Sequence, residues 1–213
     1  MAPATTSSRP DGGTVTDASA QPGVIVRAAT ATDMAGVQAI YAHYVENSTA
    51  TFEETAPGIG EMQRRLADTR ARGLPYLVAE DDSGAILGFA YASPFRTRSA
   101  YRFTVEDSVY VAPDAQRSGI GRALLMALAE QCAAIGYRQM VAVIGGNANA
   151  ASIALHIRCG FRQVGLMPAV GFKFGRWIDS VRMQRALGDG DATPPGDLPA
   201  ARTANPPPDG PNA

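Results

Sequence analysis

Most of the chemistry legible in this 213-residue chain lies between Thr104 and Leu125. Val105, Asp107, Val109 and Val111 alternate with Glu106, Ser108 and Tyr110, so Glu106–Val111 reads as a strand, and Pro113 ends it. The loop Gln116-Arg-Ser-Gly-Ile-Gly121 then opens directly into a helix. The first N–H groups of a helix have no internal partner and carry the positive end of its dipole, which makes this loop an anion site. Gly119 and Gly121 are expected to let the backbone approach a phosphate closely, while Arg117 and Arg122 add positive charge. A Walker loop is excluded, because Arg122-Ala123 stands where Lys-Ser/Thr is needed. A dinucleotide fingerprint is excluded because Leu124 fills its third small position.

Gln116–Gly121 instead resembles the Gln/Arg-x-x-Gly-x-Gly/Ala loop that holds the coenzyme A pyrophosphate in the GNAT N-acetyltransferase superfamily. A second segment, Asn149-Ala-Ala-Ser152-Ile-Ala-Leu-His156-Ile-Arg-Cys-Gly160-Phe161, resembles the superfamily's helix-start Asn, acid and Gly-Phe. Over Val24–Leu187 the chain is similar to the phosphinothricin and methionine sulfone/sulfoximine N-acetyltransferases. The segments that carry this are His43-Tyr44-Val45-Glu46-Asn47-Ser48, Tyr101–Val111 and Gly171-Phe-Lys-Phe-Gly-Arg-Trp177. Phe95 departs from the Trp common there, and Val105 and Asp107 from the usual neighbours of Glu106.

The resemblance implies transfer of the acetyl group of acetyl-CoA, with no metal, to the α-amine of a small amino-acid analogue. An ammonium must lose a proton before it attacks a thioester. Glu106 is the implied general base, and His156 stands where the superfamily has its general acid, although a histidine on a helix is more often structural. Implied coenzyme contacts are Ser108, Val109, Tyr110 and Val111, the loop Gln116, Arg117, Ser118, Gly119, Ile120, Gly121 and Arg122, and then Asn149 and Ser152. Strand N–H groups near Val109 and Val111 are the expected oxyanion donors. Asn149 can also cap its helix. Phe95, Arg96, Thr97, Val105, Glu106 and Asp107 are the implied acceptor contacts, with Arg96 the candidate partner of a carboxylate or phosphinate. Arg98, Arg102 and Lys173 are weaker candidates, and His43 and Trp177 shape the site or a homodimer interface. Other targets are a protein N-terminus or an aminoglycoside; the basic segment Phe95–Arg102 disfavours a cationic drug. A non-catalytic acyl-CoA sensor is the remaining alternative, against which Glu106 and His156 argue.

The elements around these residues follow from apolar spacing. Val24–Arg27 is a strand, and Thr30 and Asp33 mark a helix start. Met34, Val37, Ile40, Tyr41, Tyr44 and Val45 recur at helical spacing. A second helix spans about 60–72, and Tyr76–Ala79 and Ile86–Ala92 flank a turn. After the central strand come a helix over 121–135 stopped by Gly136, the strand Met140–Ile144, and the helix Ala150–Arg158. Phe172–Lys173 and Ile178–Arg185 close the chain. The order β-α-α-β-β-β-α-β-α-β-β predicts a single-domain α/β fold, GNAT-like, with a mixed, mainly antiparallel sheet and helices on both faces.

Composition narrows the class further. A net charge of -1 gives no general attraction for nucleic acid or an anionic membrane. No apolar run reaches the ~20 residues of a membrane span. Two cysteines, Cys132 and Cys159, make no disulfide framework and fit buried thiols in a reducing cytoplasm. Residues 1–23 and 188–213 have almost nothing to bury and are expected to be disordered tails around a domain over 24–187.

Overall fold

A computed structural model describes residues 23–146 and 149–199. The expectation of a disordered N-terminal tail falls on residues outside this range, apart from Gly23. Among the described residues, seven strands and four α-helices follow in the expected order. They are β1 (Val24–Ala28), α1 (Met34–Asn47), α2 (Ile59–Ala71), β2 (Tyr76–Asp81), β3 (Ile86–Pro94), β4 (Thr104–Val111), α3 (Ile120–Ile135), β5 (Gln139–Gly145), α4 (Ala150–Arg158), β6 (Arg162–Lys173) and β7 (Arg176–Ala186). One sheet runs β1-β2-β3-β4-β5-β7-β6. Every pairing is antiparallel except β4 with β5.

Strand alternation sorts the core into two layers. On β2, Tyr76 and Val78 join Met34, Val37 and Val45 of α1 and Met62 and Leu66 of α2 beneath one face. Leu77 and Ala79 turn the other way and join Leu124, Leu128 and Cys132 of α3. The helices therefore lie on both faces, α1 and α2 on one and α3 on the other, with Ile153 and Leu155 of α4 packed beside α3. Entry into α1 is fixed by Asp33, which accepts from the Thr30 N–H at 2.6 Å and from Arg27 at 2.7 and 2.8 Å. The Arg27 hydrogen bonds hold the Asp33 carboxyl down at about 2. At the far end of α3, Gly136 takes a left-handed φ of 108°, and the Tyr137 N–H closes on the Cys132 carbonyl.

Two expectations need correction. The β6 strand begins at Arg162, ten residues before the expected Phe172, and its apolar residues Val164, Leu166, Met167 and Val170 are exposed. Its pairing with β7 shifts register twice, so no simple alternation marks it in the sequence. Of the expected tail over 188–213, residues 200–213 lie outside the described range; residues 188–199 form no helix or strand, yet they pack on the body. Leu198 is buried in the α3 layer, and Arg138 donates to the Thr193 hydroxyl and the Pro194 carbonyl. Leu198, the Arg138 hydrogen bonds and the Arg138–Asp189 ion pair at 3.4 Å tie this proline-rich segment, which has no periodicity of its own, to the body.

Candidate active site

The site begins where β4 and β5 part. Their parallel ladder runs only from Thr104↔Gln139 to Asp107↔Ala142, although β4 continues to Val111 and β5 to Gly145. Past Asp107, β4 keeps its pairing with β3 and loses its partner on the other edge. Hydrogen bonds at both ends of the β3–β4 ladder, Phe95 N–H to Thr104 O and Ala112 N–H to Leu87 O, fix which groups face which way. Alternation from those two points sends the backbone groups of Glu106, Ser108 and Tyr110 toward β3 and those of Val109 and Val111 into the gap. The Val111 carbonyl accepts the Tyr44 hydroxyl at 2.7 Å.

The same alternation leaves Ser108 and Tyr110 no backbone group toward the gap. Tyr110 packs its ring on Phe89 and Tyr41, with centroids 5.1 Å away in each case, and the Ser108 hydroxyl hydrogen-bonds Tyr91. Both side chains are thus engaged within the protein on the α1 face of the sheet.

Beyond the gap, the loop turns onto α3 through two left-handed residues, Arg117 at φ 63° and Gly119 at φ 87°. Ala115 N–H bonds back to Ala112 O, Ala123 N–H opens the helix ladder on Gly119 O, and the Ser118 hydroxyl bonds Ala115 O at 2.5 Å. The N–H groups from Gly119 into the first turn, including Ile120, are those that a helix leaves for an anion. Exposed Arg117 and Arg122 flank them. Gln116 reaches across to the Tyr44 hydroxyl at 3.1 Å and so ties the loop to α1. Gly121 also has a role in packing. A Cβ there would meet Leu155 of α4 at 3.2 Å and Val111 at 3.4 Å, so its bareness lets α3 pack closely on α4.

Glu106 sits half-buried on the α1 face of the sheet, between Ser93 of β3 and Val141 of β5. Burial holds its carboxyl above the ordinary glutamate range; Arg182 and Arg96 pull it back, and Asp107 pushes it up. A half-buried carboxyl at the last paired stretch before the gap is placed to take a proton from a group entering there.

His156 lies on the other face, 2% exposed. Its Nδ1 donates to the Ser152 carbonyl at 2.8 Å, and its Nε2 faces Asp107 Oδ2 at 3.1 Å. A carbonyl only accepts, so Nδ1 carries a proton, and a second proton lies between Nε2 and Asp107. Burial lowers the imidazole's pKa, but the Asp107 hydrogen bond and charge and the Ser152 carbonyl outweigh it, and the net shift is upward. Both nitrogens are engaged and the Phe161 ring covers the imidazole edge-on at 4.9 Å. The ring is thus not presented to a departing thiol. Asp107 is likewise corrected: its side chain serves His156 rather than an acceptor beside Glu106. Val105 is fully buried, so its side chain lines no opening. Asn149 caps α4 by accepting the Ser152 N–H at 3.4 Å.

Among the acceptor candidates, Phe95, Arg96 and Thr97 follow the end of β3 on the Glu106 side. The Arg96 guanidinium lies over the Phe95 ring at 4.6 Å; Arg96 is exposed, and Phe95 and Thr97 are half-buried. Arg102 folds over Phe103 at 4.4 Å. Lys173 drops out, since its Nζ is buried and donates to the Ser48 and Thr51 carbonyls, each at 2.9 Å. His43 is exposed on α1 and Trp177 is 68% exposed on β7. Sequence reasoning missed Tyr44, read as core, and Arg182, which β7 brings to the Glu106 face. Among the described residues no cluster of His, Cys, Asp or Glu could hold a metal ion, and no helix is long and apolar enough to cross a membrane.

A strand that loses its parallel neighbour beside a left-handed loop and a helix N-terminus is a specific arrangement, and residues 26–182 match the GNAT acetyltransferase domain. The chain belongs to the GNAT acetyltransferase family. It is 54% identical over 170 residues to the phosphinothricin N-acetyltransferase of Alcaligenes faecalis, covering 80% of this chain and 86% of that protein. It is 47% identical over 163 residues to the L-methionine sulfoximine/L-methionine sulfone acetyltransferase of Pseudomonas aeruginosa, covering 76% and 94%. Among solved structures, the phosphinothricin acetyltransferase of Sinorhizobium meliloti in complex with AcCoA superimposes with a TM-score of 0.82 at 49% identity, covering 86% of this chain and 99% of that one. This GNAT chain is an N-acetyltransferase.

Proposed function

We propose that this N-acetyltransferase moves the acetyl group of acetyl-CoA directly to the α-amine of phosphinothricin, methionine sulfone or methionine sulfoximine, with Glu106 as general base. The observation that carries the reading is the position of Glu106. It is a half-buried carboxyl, its pKa raised by burial, on the strand that borders the β4–β5 gap. The names of the relatives and the coenzyme bound in the Sinorhizobium meliloti structure support the substrate and coenzyme classes.

In this reading the first-turn amides of α3, with Arg117 and Arg122, take the diphosphate, and the pantetheine runs along the open edge of β4. The thioester oxygen lies toward the Val109 N–H, where negative charge develops as the amine attacks. Glu106 accepts one ammonium proton, directly or through a water. Once acylated, the nitrogen is acidic and gives up its second proton, which leaves with the thiolate. A thiol titrates near ~8.5, so this step needs no strong acid. His156 and Asp107 hold α4 to β4 at the last paired residue before the gap.

The apolar edge formed by Val164, Leu166, Met167, Val170, Phe172 and Trp177 is the surface we assign to a second copy in a homodimer. A cytoplasmic setting would keep Cys132 and Cys159 as the buried thiols seen here. The test of the reaction is thiol release from acetyl-CoA with L-phosphinothricin, L-methionine sulfone, L-methionine sulfoximine, an aminoglycoside and a peptide with a free N-terminus. Turnover confined to the three amino acids is expected; turnover confined to the drug or the peptide overturns the assignment.

A further inference from the structure

We propose that Arg182 is a specificity residue of this site, binding an anionic group on the acceptor's side chain while Arg96 binds its α-carboxylate. The inference rests on the proposed reaction and adds a residue to it. Strand register supplies the placement. On β5, Val141 lies beside Glu106 and Val143 lies two residues further toward the gap. Val143 pairs with Arg182 of β7, and side chains along such a row share one face of the sheet. Arg182 therefore stands on the Glu106 face, two strands from it, level with the point where β4 and β5 part. The next residue in the row is Gly165 of β6, where an added Cβ would stand 3.9 Å from the Arg182 Cβ. A glycine there keeps the space beside the arginine open.

Arg182 feels the Glu106 carboxyl along this face but forms no ion pair with it. Its guanidinium meets the Met167 thioether at 3.5 Å, a weak acceptor for a group with five donors. Among the described residues, no carboxylate forms an ion pair with Arg182 or with Arg96. Arg96 comes from the other side, just after β3, so the two guanidinium groups bracket Glu106. A zwitterionic amino acid with a tetrahedral acidic tail, as in phosphinothricin, has its carboxyl carbon two bonds from the amine nitrogen and its phosphorus four bonds away. Its amine has to face Glu106. The near anion then falls to the segment adjoining β4 and the far one to the arginine two strands away. A guanidinium fork also suits two oxygens on one phosphorus, and a neutral sulfone offers it no charge.

The test compares steady-state constants of wild-type enzyme, Arg182→Gln and Arg182→Lys for L-phosphinothricin, whose tail is anionic, and L-methionine sulfone, whose tail is neutral. The glutamine variant should raise KM for phosphinothricin about 10- to 100-fold, the range of a charge-assisted hydrogen bond. Its KM for methionine sulfone, its KM for acetyl-CoA and its thermal midpoint should stay as in wild type, and any change in kcat from losing the Arg182 charge near Glu106 should be the same for both acceptors. Lysine should restore part of the phosphinothricin KM. Equal KM changes for both acceptors, or no KM change for either, overturn the role of Arg182 while leaving the reaction standing. If wild-type enzyme acetylates neither amino acid, the underlying reaction itself is overturned, and Arg182's role falls with it.

Discussion

Asp107 Oδ2 and His156 Nε2 stand 3.1 Å apart on the face of β4 opposite Glu106, so two adjacent carboxylates of one strand work on different sides of the sheet. Alternation alone produces this split. Asp107 is enclosed at 6% exposure and His156 at 2%, and Asp107 Oδ1 has no hydrogen-bond partner among the described residues. A pair so enclosed is costly to break, because a lone buried charge remains.

His156→Ala should therefore destabilise the fold by about 3–5 kcal/mol, measured by urea unfolding. The pair also sets a pH dependence. The folded His156 pKa is raised above its unfolded value, so its stabilisation is complete below the unfolded pKa and fades as pH rises through the folded one. Stability of the wild type should fall across that window, and His156→Ala should flatten the slope. A slope of the same size in the variant would remove His156 as its source.

Lys173→Met should leave the Ser48 and Thr51 carbonyls without their donor and cost about 1–3 kcal/mol. The effect should reach beyond stability. The segment held by Lys173 lays Phe52 against Gly145 and Gly171, where any Cβ would overlap the Phe52 ring or the Thr49 carbonyl. Acceptor KM should rise in the variant while the coenzyme KM holds. An unchanged unfolding midpoint would contradict the anchoring role.

The two loop glycines should separate in the same assay. Gly119→Ala forces an alanine into φ 87° at the helix start, a strain of about 1–2 kcal/mol placed on the anion site, and should raise KM for acetyl-CoA. Gly121→Ala presses on Leu155 instead and should show mainly as lost stability. A coenzyme KM that rises in Gly121→Ala and not in Gly119→Ala would reverse these assignments.

The strand Glu106–Val111, the loop Gln116–Gly121 and the α3 stop at Gly136 were legible in the sequence because each depends on local spacing or on a residue type suited to one φ. Glu106 could be placed on its face from alternation alone. The partner of Asp107 could not, since His156 is 49 residues away and nothing local marks the pairing. Lys173 looked like a free cation because its two carbonyl partners lie 125 and 122 residues away. Arg182 reaches the site only through the order β4-β5-β7, a crossover that strand patterns do not reveal. The β6 strand stayed hidden because an exposed, twice-shifted edge carries no buried period.

The most direct test of the chemistry is the pH profile of kcat/KM for wild type and Glu106→Gln, read as thiol released from acetyl-CoA with a saturating coenzyme concentration. Burial raises the Glu106 pKa, so the wild-type rate should fall on the acid side through a pKa above the ordinary glutamate range. Glu106→Gln should lose about 10²- to 10⁴-fold in kcat/KM and lose that acid limb, with acetyl-CoA binding intact. A variant that keeps the wild-type rate and the same acid limb contradicts Glu106 as the base.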